Sequence, residues 1–240
     1  MSRCYFALLV LAPLVIVAAC DDDDVGSGNA FDVPDGSSAD FDAPATGDVD
    51  ATVQATVPGF IGTVGGNQSN DRCPTGQLAI GLAGGSVPVA FYSGVLSQVT
   101  TVCGTLVLPQ AGTTEVTIAP GATVPADTQR GITPATMPLV TVTCPANQIV
   151  VGLAGSAVSK DFPPRRNLTA SAQLRCASLS YAGGAFAVGV VSDGPTLGAA
   201  GDGGAAGPFD CPAGQVAVGS YVQAGEILDG IGPLCAPAQP

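Results

Sequence analysis

Cys73-Pro74-Thr75-Gly76-Gln77-Leu78-Ala79-Ile80-Gly81-Leu82 is a stretch that this chain writes three times. It returns at 144–153 as Cys-Pro-Ala-Asn-Gln-Ile-Val-Val-Gly-Leu and at 211–220 as Cys-Pro-Ala-Gly-Gln-Val-Ala-Val-Gly-Ser, offsets of 71 and 67 residues. All three fit Cys-Pro-x-x-Gln-(aliphatic)-(Ala/Val)-(aliphatic)-Gly. Such a repeat is one supersecondary unit that cannot bury its apolar face alone, so the copies must pack on one another. Behind each Cys-Pro the apolar residues alternate: Leu78, Ile80, Leu82; Ile149, Val151, Leu153; Val216, Val218. A period of two marks one buried face of a strand. Segments 106–108, 116–118, 139–142 and 186–191 are further strand candidates, bounded by Gly and Pro. No segment carries a sustained 3.6-residue stripe with caps, and a chain rich in Thr, Val, Gly and Pro is poor helix material. The reading is an all-β domain over 59–240, its copies near 59–125, 126–195 and 196–240, closing around a pseudo-threefold axis.

Each copy ends in a second cysteine: Cys103, Cys176 and Cys235. Six cysteines permit fifteen pairings, and the repeat favours Cys73–Cys103, Cys144–Cys176 and Cys211–Cys235. Loops of about 24–32 residues closed this way each contribute roughly 3–4 kcal/mol through lost unfolded-state entropy. Zinc is the alternative use of these thiols. However, the chain has no Cys-x-x-Cys spacing and no histidine.

Gly65-Gly66 with 73–81, then 144–152, then Gly203-Gly204 with 211–219 resembles the vitelline membrane outer layer protein one family. That resemblance implies a β-prism of three sheets, shared in outline with jacalin-type lectins, across about residues 59–240. It also implies that glycans are the ligands to consider. The alternative folds are a β-sandwich and an array of three small disulfide-closed β units.

Outward from the repeats, residues 20–58 are a different material. Ten of the chain's 19 acids lie between Asp21 and Asp50, where there is no base. With few bulky apolar residues, the segment cannot offset its ordering entropy and reads as a disordered, self-repelling linker. A calcium site on the Asp run is the other reading. The linker carries most of the net charge of −12, whereas 59–240 holds nine acids against six bases. No basic face supports nucleic-acid binding.

Residues 1–19 begin Met-Ser-Arg and continue as an uncharged apolar run. This is the layout of a secretory signal peptide, too short at about 15 residues to be a spanning helix of about 20. Its end, Val17-Ala18-Ala19-Cys20, resembles the bacterial lipobox. The resemblance implies cleavage before Cys20 and acylation of that residue, palmitate included, and two or three chains anchor stably. The expected location is the cell envelope, with the outer membrane or cell surface favoured. Asp21 resembles an inner-membrane retention signal and keeps the periplasmic face of that membrane open. The acidic tether and glycine-rich domain together resemble envelope lipoproteins of myxobacteria.

Lacking histidine, the chain has neither the usual general base nor a Ser-His-Asp arrangement. With six cysteines bridged and Cys20 acylated, no thiol nucleophile is expected. Glu226 and Asp229 are the one carboxylate pair to weigh, and the glycosidase reading needs two acids flanking a cleft. Gly201-Asp202-Gly203-Gly204 lacks the Lys-Ser/Thr of a phosphate loop. The widest departure from repeat symmetry is 160–166, where Lys160, Phe162, Arg165 and Arg166 form a candidate binding loop. Phe91, Tyr92 and Tyr221 stand where a lectin places stacking rings, but with aromatics this scarce core or rim packing is the favoured reading. These features describe a non-enzymatic binding module without cofactor or metal, its partners the membrane and a glycan or envelope protein. The alternatives are a structural or adhesive envelope component and, third, a carboxylate hydrolase.

Overall fold

The computed structural model describes residues 54–89, 92–123, 130–131, 139–160, 166–199 and 203–239. The leader, Cys20 and the Asp-rich stretch lie outside them. The described residues form strands and turns in three antiparallel sheets.

The Cys-Pro motif makes a turn and then a strand. Pro74, Pro145 and Pro212 each accept a bond from the amide of Gln77, Gln148 or Gln215 at 2.9–3.0 Å. The third turn residue has positive φ: Gly76 at 76°, Asn147 at 60° and Gly214 at 77°. A type II turn demands that conformation there, which Gly and Asn adopt most readily. Each turn opens a hairpin: β3 (Gln77–Val89) with β4 (Tyr92–Val107), β8 (Gln148–Lys160) with β9 (Arg166–Ala182), and β13 (Gln215–Ala224) with β14 (Leu228–Pro237).

Every hairpin slips register at the same place, between Ala79 and Gly81, Val150 and Gly152, Ala217 and Gly219. Ile80, Val151 and Val218 therefore bulge, and each frees a carbonyl for the next copy. The amide of Cys144 bonds Ile80 O at 2.8 Å, that of Cys211 bonds Val151 O at 2.7 Å, and that of Cys73 bonds Val218 O at 2.8 Å. The bulge also changes the expected alternation. Leu78 and Ile80 pack with Ile149, Val151, Val216 and Val218, whereas Leu82 and Leu153 join Ala79, Val150 and Ala217 in a separate core. One inserted residue sends every later side chain of the strand to the opposite face.

Strands leading into a cysteine belong to the previous copy's sheet. β7 (Val140–Thr143) pairs with β3, β12 (Gly204–Asp210) with β8, and β2 (Asn67–Arg72) with β13. The far edges are built by β5 (Thr117–Thr123) and β6 (Arg130–Gly131) on β4, and by β10 (Ala185–Val188) and β11 (Ser192–Gly198) on β9. On β14 that edge is β1 (Ile61–Gly62), from the other end of the domain. The array of independent β units is thereby excluded, because every sheet needs a strand from a neighbouring copy.

Between the sheets lies a core with Ile61, Leu82, Leu96, Leu153, Leu174, Leu197, Val222 and Ile231, all at most 3% exposed. Disulfides join Cys73 to Cys103, Cys144 to Cys176 and Cys211 to Cys235 at its margin, each within one copy. The structure is a three-repeat all-β prism.

Candidate functional site

The pseudo-threefold relation allows the outer faces of the three sheets to be compared position by position. Across the second sheet, the row through the motif glycine reads Asp210–Gly152–Arg175–Asp193 on β12, β8, β9 and β11. In the first copy's sheet the same row reads Thr143–Gly81–Val102–Thr123. In the third it runs Arg72–Gly219–Leu234. Of these three rows, only the second places an arginine between two carboxylates.

Gly152 makes this possible. A Cβ there would overlap the Asp210 side chain, so the glycine leaves the gap through which Arg175 reaches it. Arg175 Nε donates to Asp210 Oδ1 and Nη2 to Asp210 Oδ2, both at 3.0 Å, while Nη1 donates to Asp193 Oδ1 at 2.6 Å. Two charge-assisted bonds from one fork to one carboxylate fix the guanidinium plane. The hydrogen bonds to Asp210 first, and then to Asp193, raise the arginine's pKa above its ordinary value. The Asp193 side chain stays 63% exposed, and the trio carries one net negative charge.

Beside this row is a depression of about 400 Å³. Its floor is Ala154, Gly155, Ser156 and Ser171, and the two serine hydroxyls bond each other at 2.7 Å. Gln173 and Thr196 line one side, and the Gln173 amide donates to Gly194 O at 3.3 Å. Both flanking strands are interrupted by a Gly-Pro pair. β11 slips register between Asp193 and Thr196 around Gly194-Pro195, and β12 slips between Ala206 and Phe209 around Gly207-Pro208. Proline withholds the ladder N–H and a bulge bends the strand, so the edges part here over small side chains. Polar groups converging on a concavity of this size are what a small-ligand site requires.

Several sequence-derived candidates sit elsewhere. Phe91, Phe162 and Arg165 lie outside the described residues. Lys160 ends β8 and Arg166 starts β9, and nothing of their side chains is described. Tyr221 is half-buried against Phe60, ring centroids 5.7 Å apart, and accepts a bond from the Gln223 amide. Glu226 is exposed at the β13–β14 turn while Asp229 is buried, so the pair does not face one cleft. The six domain cysteines are all bridged, and among the described residues no group of three acidic or cysteine side chains could hold a metal. Arg175, Asp193 and Asp210 are absent from the candidates that the sequence suggests. The signal that could have found them is a charge directly before Cys176, where the other copies carry Val102 and Leu234.

The fold and site together define a three-sheet β-prism with a polar concavity on an outer face. No protein-family model and no curated protein matches the chain. Among solved structures it is similar to frutapin, a lectin from Artocarpus incisa, at 20% identity and a TM-score of 0.42, covering 76% of this chain and 97% of that one. A mannose-specific jacalin-related lectin from Morus nigra, in complex with mannose, matches at 16% identity and a TM-score of 0.41, covering 79% and 99%. Calystegia sepium agglutinin matches at 13% and 0.40, covering 77% and 97%.

Proposed function

We propose that this chain is a non-catalytic binding module for neutral glycans, displayed in the cell envelope by a lipid on Cys20. The observation that carries the binding half is the substitution of an arginine held by two aspartates for the apolar residue of the other two copies, at the edge of the depression. Arg175 has five N–H donors, and three are engaged by Asp210 and Asp193. The remainder, with the exposed oxygens of Asp193 and the Gln173 amide, offer donors and acceptors side by side. Vicinal hydroxyls need that alternation, since each donates once and accepts twice. The net negative charge disfavours an anionic ligand.

The test is a glycan array probed with the full chain carrying Cys20→Ser, beside the same chain with Arg175→Val. Neutral glycans should bind the first and lose at least about tenfold in affinity, 1.4 kcal/mol, on the second. No binding to any sugar, with crosslinks to envelope proteins instead, selects the structural reading. The anchoring half rests on the lipobox resemblance. It predicts palmitate incorporation and membrane fractionation that Cys20→Ser abolishes, and surface protease shaving distinguishes the outer face from the periplasm.

A further inference from the structure

A second depression, of about 380 Å³, adjoins the first. The two meet at Ala205 and Ala206 of β12, which line both. The second has different chemistry. It is bounded by the Phe60 ring, by Asn167 and Ser159 next to the Lys160–Arg166 pair that ends the β8–β9 ladder, and by Gly62 and Gly204. Among the described residues, none that lines it is charged. One depression therefore presents a fixed charge cluster, and its neighbour presents an aromatic ring beside amide and hydroxyl groups.

We infer that the ligand is a linear neutral glycan at least two residues long, lying across Ala205 and Ala206 with one residue in each depression. This rests on the glycan reading proposed above and adds the length and direction of the ligand. Sugars offer a hydroxyl edge and an apolar C–H face. The edge matches the Arg175–Asp193 end, and the face matches the Phe60 end. Each depression lies within the roughly 300–1,000 Å³ usual for small-ligand sites. The divider between them is β12, an edge strand with Ala205 on the Ser156 face and Ala206 on the Gly155 face. A glycan that occupies both depressions therefore passes round a sheet edge that carries only small side chains here. Linked occupancy raises affinity because the second residue binds at a high effective concentration.

Gly204 supplies a selective probe. It lines the second depression and not the first, and a Cβ built on it meets nothing within 4 Å. Gly204→Trp is therefore tolerated, and from its place opposite Ala157 it crowds the second depression while leaving the Arg175 end open. Titration of the full chain carrying Cys20→Ser compares the mono- and tetrasaccharides of glucose, mannose, galactose and N-acetylglucosamine. The expected result is a best tetrasaccharide at least about tenfold tighter than its monosaccharide. Gly204→Trp should remove that gain and leave monosaccharide affinity unchanged, with Asn167→Ala removing part of it. Equal affinity for both lengths, or a length gain that survives Gly204→Trp, overturns the inference and leaves the glycan reading standing. Failure of every sugar to bind, or binding unaffected by Arg175→Val, removes both.

Discussion

At the level of single residues, the repeated glycine of the motif has a defined task. Gly81, Gly152 and Gly219 each lie where the next copy's lead-in strand crosses, and a Cβ would overlap the Val142 carbonyl, the Asp210 side chain or the Asp71 carbonyl. Gly81→Ala and Gly219→Ala should each cost about 1–3 kcal/mol through overpacking, measured by denaturant unfolding. Gly152→Ala should do the same and also displace Asp210 from Arg175, so it alone of the three weakens ligand binding. Arg175→Val installs the first copy's residue. With its partners partly exposed, it should lower stability by no more than about 1 kcal/mol while abolishing binding. The hydrogen bonds to Asp210 and then Asp193 raise the Arg175 pKa above its ordinary, strongly basic value, so its ionic contribution is complete through the neutral range and is lost only in strong alkali. The arginine therefore adds no pH dependence to binding between about pH 5 and 9. A fall in affinity across that window on Arg175 deprotonation would contradict this placement.

Among the elements, each hairpin is tied by its own disulfide, with sequence separations of 30, 32 and 24. Loop lengths so similar predict losses of about 3–4 kcal/mol for each Cys→Ala pair removed, nearly equal among the three. Equilibrium unfolding of the three double variants checks this. A loss confined to one pair would mean that the copies do not share the stability. The elements also show why the strands were legible and the site was not. Cys-Pro-x-Gly/Asn-Gln specifies a turn and a strand through local backbone preferences, and the alternation specifies burial. The depression arises where two edge strands, β11 and β12, bulge on opposite sides of β8 and β9. Gly194-Pro195 and Gly207-Pro208 are visible as dipeptides. Nothing local in the sequence says that they flank the same patch.

Across the whole molecule, the chain closes on itself. The Thr56 amide donates to Cys235 O at 2.8 Å, and the Cys235 amide returns a bond to Thr56 O at 2.8 Å. β1 and β2 form the two edges around β13 and β14. The third copy is short for this reason, since the outer strands of its sheet, β1 and β2, come from the start of the first copy. Removing residues 1–66 should therefore abolish the cooperative transition, because β1 and the Thr56 bridge go with them. A circular permutant that joins residue 239 to residue 54 and opens between 182 and 185 should melt within a few degrees of the parent. Differential scanning calorimetry separates these outcomes.

The strand class, the three copies and the turn at each Cys-Pro are properties of the linear chain. They depend on local dihedral preferences and on a period of two, which a short window contains. Which copy lends its strand to which sheet, which face survives the bulge, and the meeting of Arg175, Asp193 and Asp210 emerge only on folding. Those outcomes join residues 18 and 35 positions apart in the chain, on three different strands. Contact between such residues is set by sheet register, and no local preference encodes it.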